Sequence, residues 1–159
     1  MDPLTQQILS LRGPRNVVDP SVPWLFLSEP EYSRNGKVEP VSTIFLTNRE
    51  CPFHCLMCDL WQNTLTESVA PGSIPAQIDF ALLRLPAAPH VKLYNSGNFF
   101  DAAAIPRHDL PAIASRVHGF ETVIVENHPR LCDQRCGQFQ RSEEHTSELQ
   151  SRQYLVCRL

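Results

Sequence analysis

From residue 41 onward, the apolar positions of the chain switch between the spacing of a β-strand and the spacing of a helix. Val41 to Thr47 is a run of β-branched and apolar residues that predicts a buried strand. Shorter runs of the same kind lie at Val91–Tyr94 and Thr122–Val125. Their continuous apolar character is typical of a parallel sheet with both faces buried. We therefore predict parallel strands at these three places.

Two helices are predicted between these strands. The first begins at Ser73, with Pro75 in its first turn, and ends at Pro86. Its apolar face carries Ile74, Ile78, Leu82 and Leu85. The second follows Asp109, which can cap it, and ends at Gly119; its apolar residues are Leu110, Ile113, Ala114 and Val117. Because strands and helices alternate, we predict an α/β fold with right-handed helical crossovers between parallel strands.

The first 40 residues have a different character. They are rich in Pro, Asp, Asn and Arg, with one apolar run at Trp24–Leu27, and Asn35-Gly36 predicts a turn. We interpret residues 1–40 as an N-terminal extension ending in a hairpin that leads into the next strand. Residues 1–20 lack the apolar core of a secretory signal, so a cytoplasmic location is expected.

The composition indicates the structural class of the protein but does not indicate a function. The 159 residues are 42% hydrophobic and 19% charged, which is typical of a globular domain and not of a disordered chain. No apolar run approaches the roughly 18 residues of a membrane-spanning helix. The net charge of −3 gives no electrostatic reason to expect a nucleic-acid partner.

Loops after the carboxyl ends of parallel strands are where such sheets gather function. This rule brings three segments to one edge of the predicted sheet, which we call the carboxyl edge. They are residues 48–63, 95–101 and 126–130.

The first of these segments contains three cysteines in eight residues. Cys51-Pro-Phe-His-Cys55-Leu-Met-Cys58 has C-x3-C-x2-C spacing, and three thiolates from one short loop can surround an iron–sulfur cluster. A zinc site prefers four ligands, which Cys55 and Cys58 could form with Cys132 and Cys136 in a non-catalytic binding module. His54 is expected to support the loop by hydrogen bonding. Arg49-Glu50 is either an ion pair at this edge or ordinary solvated charge.

The cysteine spacing and its position directly after a strand resemble those of radical S-adenosylmethionine (SAM) enzymes. The resemblance covers residues 41–130 and implies that Cys51, Cys55 and Cys58 hold a [4Fe–4S] cluster whose open iron binds SAM. It further implies reductive cleavage of SAM to a 5′-deoxyadenosyl radical, an electron donor, and a βα TIM-like barrel. Met57 stands where the family usually has an aromatic residue near adenine.

The second and third segments extend this resemblance. Ser96-Gly97-Asn98 stands where family members carry a Gly-rich turn that binds the SAM amino group, although it lacks the usual acidic residue. The alternative interpretation is that Ser96-Gly97-Asn98 is a tight turn that needs only the backbone freedom of Gly97. Glu126-Asn127-His128-Pro129 resembles the branch with the archaeosine-forming lyase, elongator-type and methylthiotransferase-like proteins. That branch implies an RNA substrate, and Glu126 is either a SAM-binding residue or a cap of the next turn.

The last 19 residues differ in composition from the rest. All 14 Pro and all 6 Gly precede residue 141. Residues 141–151 and 155–159 resemble, in order and in frame, a translated sequencing adapter, the alternative being a polar, helix-prone terminus. We therefore expect three parts: an extension (1–40), a truncated radical SAM core (41–140) and a non-native tail (141–159). Such a chain would be the incomplete N-terminal half of a barrel, and inactive alone.

Overall fold

The computed structural model describes residues 1–33, 35–128, 131, 134–144 and 155–158. Its helices are α1 (Pro3–Ser10), α2 (Ser73–Leu82), α3 (Leu110–Val117) and α4 (Gln134–Glu144). Its strands are β1 (Leu25–Tyr32), β2 (Val38–Phe45), β3 (His90–Tyr94), β4 (Thr122–Glu126) and β5 (Leu155–Arg158). Short 3-10 helices lie at Leu60–Asn63 and Arg107–Asp109.

All five strands belong to one sheet in the order β1-β2-β3-β4-β5. The pairs from β2 to β5 are parallel, with Ile44 opposite Leu93 and Leu93 opposite Val125. Strand β1 is antiparallel to β2. The predicted α/β class and the parallel strands with helical crossovers are confirmed.

The hydrophobic core lies between one face of this sheet and the helices. It takes alternate residues of the parallel strands, as a period of two requires: Ile44, Val91 and Leu93, Val123 and Val125, with Leu46 directly after β2. Helices α2 and α3 contribute the predicted apolar residues Ile74, Ile78, Ile113 and Val117. The predicted core faces of both helices are confirmed.

The other face of the sheet is more polar than predicted. His90 and Lys92 of β3 lie on it, and both are buried. The His90 ring nitrogen is 3.3 Å from a Glu39 oxygen, and Lys92 forms an ion pair with Glu31. The ion pair with Glu31 offsets the cost of burying the Lys92 ammonium, so burial of this face does not require apolar residues alone.

The N-terminal region contains the predicted hairpin and one element that was not predicted. Strands β1 and β2 form the hairpin, and Gly36 has a φ of 71° in its turn. The expected boundary at residue 40 lies inside β2, so the hairpin is part of the sheet. The missed element is α1, which begins after Asp2, whose carboxylate accepts a hydrogen bond from the Thr5 N–H at 3.0 Å.

Two details of the predicted helices are wrong. Asp109 occupies the predicted N-cap position of α3, but its side chain makes no capping hydrogen bond; its buried carboxylate instead accepts hydrogen bonds from the Gly72 N–H at 2.9 and 3.1 Å and so joins the start of α2 to the start of α3. Helix α2 ends at Leu82, before the predicted Leu85, although Leu85 still packs against the core.

The expected boundary at residue 140 lies inside α4, and residues 155–158 form β5 beside β4. The adapter resemblance concerns the origin of residues 141–159, so it stays a prediction. Within the described ranges, the helices are too short or too polar to cross a membrane.

Candidate functional site

The described residues of the three segments predicted to meet at the carboxyl edge do meet there. They line an open cavity of about 450 Å³, which we call the cysteine cavity. Its lining includes the predicted residues Cys51, Cys55, Cys58, Ser96, Gly97, Asn98 and Glu126. Asn127 and His128 also line it, together with Phe53 and Leu60, which sequence analysis did not select.

The cysteines are carried by a loop of residues 48–65, the cysteine loop, whose two ends are tied together. The Leu65 N–H donates to the Asn48 carbonyl, and the Glu50 N–H donates to the Leu65 carbonyl, both at 2.9 Å. At the far end of the loop, the Cys58 N–H donates to the Cys55 carbonyl at 3.2 Å. The closed base fixes Cys51, whereas Cys55 is exposed at the opposite end.

Cys51 is the most constrained of the three thiols. Its Sγ accepts hydrogen bonds from the Asn98 side-chain amide at 3.1 Å and from the Phe53 N–H at 3.4 Å. Burial raises the pKa of the Cys51 thiol above its ordinary value, and these two hydrogen bonds oppose the rise. The thiolate required of a metal ligand is therefore disfavoured by burial and assisted by Asn98.

Gly97 lets the β3 loop approach the cysteine loop closely. A Cβ atom at this position would lie 3.1 Å from the Cys51 Cβ and 3.4 Å from the Cys51 Cα. Gly97 does not have a left-handed φ; Ser96 does, at 53°. The predicted alternative, that this turn needs only the backbone freedom of Gly97, is therefore wrong, because the requirement at Gly97 is for space.

Several side-chain polar atoms of Asn95 and Ser96, at the start of the loop after β3, are buried without a hydrogen-bond partner among the described residues. They are Ser96 Oγ and both side-chain polar atoms of Asn95. Such groups cost free energy unless a ligand or water satisfies them. Ser96 is also one of the residues that line the cysteine cavity.

Asn98 joins the second segment to the third. Its Oδ1 accepts a hydrogen bond from the His128 N–H at 2.7 Å, while its amide donates to Cys51. The rings of His128 and Phe53 lie 4.6 Å apart between centroids. The carbonyl of Glu126 accepts from the Phe99 N–H at 2.8 Å. All three segments are thus held together by contacts through Asn98 and His128.

Other predicted site residues are not brought to the cavity. Met57, the predicted neighbour of adenine, is 87% exposed and is absent from the cavity lining. Of the four cysteines of the zinc alternative, Cys136 packs against the hydrophobic core from α4, and Cys132 lies outside the described residues. In the described part of the chain, no three His, Cys, Asp or Glu side chains converge closely enough to hold one metal ion.

Glu50, next to Cys51, has different partners from those suggested by the sequence. Its carboxylate lies 3.2 Å from Arg12 and 2.6 Å from Arg15 rather than pairing with its neighbour Arg49. His54 was expected to support the loop by hydrogen bonding. Its Nε2 lies 3.8 Å from the other Glu50 oxygen, so Glu50 is the residue that it contacts. The sequence carries no signal for these contacts, because they join residues 35 and 38 positions apart.

Comparison with protein-family models, curated proteins and solved structures finds no match to this chain. The radical SAM resemblance therefore depends on residues of this chain alone. Those residues are the three cysteines of one loop and the turn at Ser96–Asn98 that faces them.

Proposed function

We propose that this chain carries the cofactor site of a radical SAM enzyme. In this proposal Cys51, Cys55 and Cys58 hold a [4Fe–4S] cluster, and the turn at Ser96–Asn98 and Glu126 bind SAM. The observation that supports it is that the three cysteines and this turn line the same cavity at the carboxyl edge of a parallel sheet. The alternation of β2, α2, β3, α3 and β4 would be the first half of a βα barrel.

In this proposal the three thiolates of one loop serve a cluster rather than a zinc ion, which prefers four ligands. A zinc ion requires all its thiolates about 2.3 Å from one point. A cubane cluster takes each thiolate on a different iron, so its ligands need only surround a common space. The shared cavity that the three cysteines line supports a cluster in this proposal.

The chain's own residues have separate tasks in this proposal. When bound, the cluster supplies the electron that cleaves SAM into methionine and a 5′-deoxyadenosyl radical. Asn98 stabilises the thiolate of Cys51 by its hydrogen bond. The unpartnered Ser96 hydroxyl and the Glu126 carboxylate offer polar contacts for the amino group of SAM. Phe53 and Leu60 add apolar surface to the lining of the cavity.

The substrate and the partners are part of the same proposal. The residues after β4 resemble those of RNA-modifying relatives, so an RNA substrate in the cytoplasm is proposed, with a reducing protein as electron donor. Of the described residues, those that line the cysteine cavity belong to the cofactor site. Substrate selection is therefore assigned to residues outside the cysteine cavity.

Anaerobic reconstitution with iron and sulfide tests the proposal. The wild-type chain is expected to take up the iron and sulfide of one [4Fe–4S] cluster, and Cys51→Ala, Cys55→Ala and Cys58→Ala are each expected to lose it. Cys136→Ala is the matched control and is expected to retain it, because Cys136 packs against the core. A full cluster in Cys51→Ala, or uptake of zinc alone by the wild type, would contradict the proposal.

A further inference from the structure

A short N-terminal segment lies against the cysteine loop. We call this segment, residues 12–16, the strap. At its end, the Asn16 N–H donates to the Gln62 carbonyl at 2.9 Å, and the Asn16 side-chain amide donates to Asn63 Oδ1 at 2.8 Å. The strap therefore contacts two successive residues in the second half of the cysteine loop, which we call its outgoing limb; the first half, which contains Glu50, is its incoming limb.

Arg15 of the strap contacts both limbs of the loop. Its guanidinium donates to the Trp61 carbonyl at 2.7 Å and to the Thr64 hydroxyl at 2.9 Å, both on the outgoing limb. The same guanidinium donates to Glu50 Oε2 at 2.6 Å, on the incoming limb. A planar group with five donors can make these bonds at once, which a lysine ammonium cannot match in geometry.

Arg12 adds a second cation to the same carboxylate. It lies 3.2 Å from Glu50 Oε2, and its side chain is 12% exposed. The guanidinium carbons of Arg12 and Arg15 lie 4.8 and 5.6 Å from the centre of the Trp61 ring, within the range of cation–π attraction. Glu50 is thus held by two cations that are themselves placed on an aromatic ring.

We propose that the strap fixes the cysteine loop in the conformation that binds the cluster, with Arg15 and Glu50 as positioning residues. Glu50 directly precedes Cys51, and its N–H is bonded to Leu65, so fixing its side chain fixes the backbone that carries the first thiol. This inference rests on the proposed cluster site. It adds that cluster retention depends on a segment remote in sequence from the cysteines.

The test compares Arg15→Ala and Arg15→Lys with a matched control, Arg116→Ala. Arg116 also makes a close two-bond ion pair, with Asp79 at 2.8 and 2.7 Å, but it joins α3 to α2. The first measurement is amide hydrogen exchange of the metal-free chain. The second is the lifetime of the reconstituted cluster in the presence of an iron chelator.

Arg15→Ala is expected to speed amide exchange in residues 50–65 selectively. It is also expected to shorten the cluster lifetime roughly 10-fold, in line with the roughly 10- to 100-fold loss of metal affinity when residues that support ligands are replaced. Arg15→Lys is expected to recover part of both effects, because it restores the charge beside Glu50. Arg116→Ala is expected to change neither measurement at the loop. Glu50→Gln should act in the same direction as Arg15→Ala, and it replaces that variant if Arg15→Ala does not fold.

The two proposals fail in different ways. A wild-type chain that takes up no cluster would refute the proposed function, while the exchange measurement would still decide whether the strap orders the loop. The proposed role of the strap would be overturned if amide exchange in the cysteine loop were equal in Arg15→Ala, Glu50→Gln and Arg116→Ala. A cluster that assembles and survives equally long in all variants would overturn it as well.

Discussion

The side-chain amide of Asn98 donates a hydrogen bond to the sulfur of Cys51 across 3.1 Å, although the two residues are 47 positions apart. The carbonyl oxygen of the same side chain accepts from the backbone of His128. One amide therefore fixes the position of a thiol relative to the loops after both β3 and β4.

Replacing Asn98 is expected to raise the pKa of Cys51 further. Burial already raises this pKa, and the hydrogen bond from Asn98 opposes the rise because it stabilises the thiolate. In Asn98→Ala, a smaller fraction of Cys51 is therefore thiolate at any pH below the pKa. Alkylation of Cys51 should slow about 2- to 10-fold there, the equivalent of about 0.5–1.5 kcal/mol for one hydrogen bond.

The measurement is the pH profile of Cys51 alkylation in metal-free protein, followed by peptide mass spectrometry. The midpoint of the profile reports the pKa, whereas its plateau at high pH reports access to the thiol. Asn35→Ala, at an exposed turn residue, is the control. A midpoint in Asn98→Ala equal to or below that of wild type would refute the prediction.

Gly97→Ala is expected to displace Cys51. The added methyl group would lie 3.1 Å from the Cys51 Cβ, so one of the two loops must move. We expect a loss of about 1–3 kcal/mol in the free energy of unfolding, as for other overpacked positions, together with reduced cluster uptake. Urea unfolding and iron content measure the two effects.

Gly119→Ala provides the comparison for this substitution, because a Cβ there would meet nothing within 4 Å and the backbone is not left-handed. This variant should unfold at the wild-type urea concentration or slightly above it. Equal stability and equal cluster uptake in the two alanine variants would show that the close approach at Gly97 is unimportant.

Gln77→Leu is expected to weaken the fold beneath the cysteine loop. The buried side chain of Gln77 accepts from the Thr47 N–H at 2.8 Å and donates to the carbonyls of Thr47 and Pro20 at 2.8 and 2.9 Å. A leucine would leave these groups unpaired, at about 1–3 kcal/mol each. We expect the free energy of unfolding to fall by at least about 2 kcal/mol in a urea titration. Gln6→Leu, on the exposed surface of α1, should change it little, and equal losses in both variants would be evidence against this role.

The regular part of the fold could be predicted from the sequence because its signals are local. The apolar spacing that defines α2 and α3 is contained within about ten residues, and the strand runs are shorter still. Asp109 shows where local reasoning fails. Its position before an apolar helix predicts a cap, but its carboxylate bonds to Gly72, 37 positions away, and only the packing of two helices brings that partner close.

The candidate site likewise has parts that could be predicted from the sequence and parts that could not. The spacing of Cys51, Cys55 and Cys58 and the position of Ser96–Asn98 after a strand were sufficient to select residues that share one cavity. Met57 was selected by analogy of position, yet its side chain faces solvent. The contacts of Arg15 could not be predicted, because an arginine in a polar segment carries no sign of which carboxylate it will meet.

The composition of β1 has a consequence for how copies of the protein meet. Glu29, Pro30 and Glu31 follow one another along this outermost strand. Proline has no N–H to offer to an incoming strand, and charged side chains on an edge strand disfavour its pairing with another copy. The hairpin that completes the sheet on this side therefore also protects its margin against aggregation by strand addition.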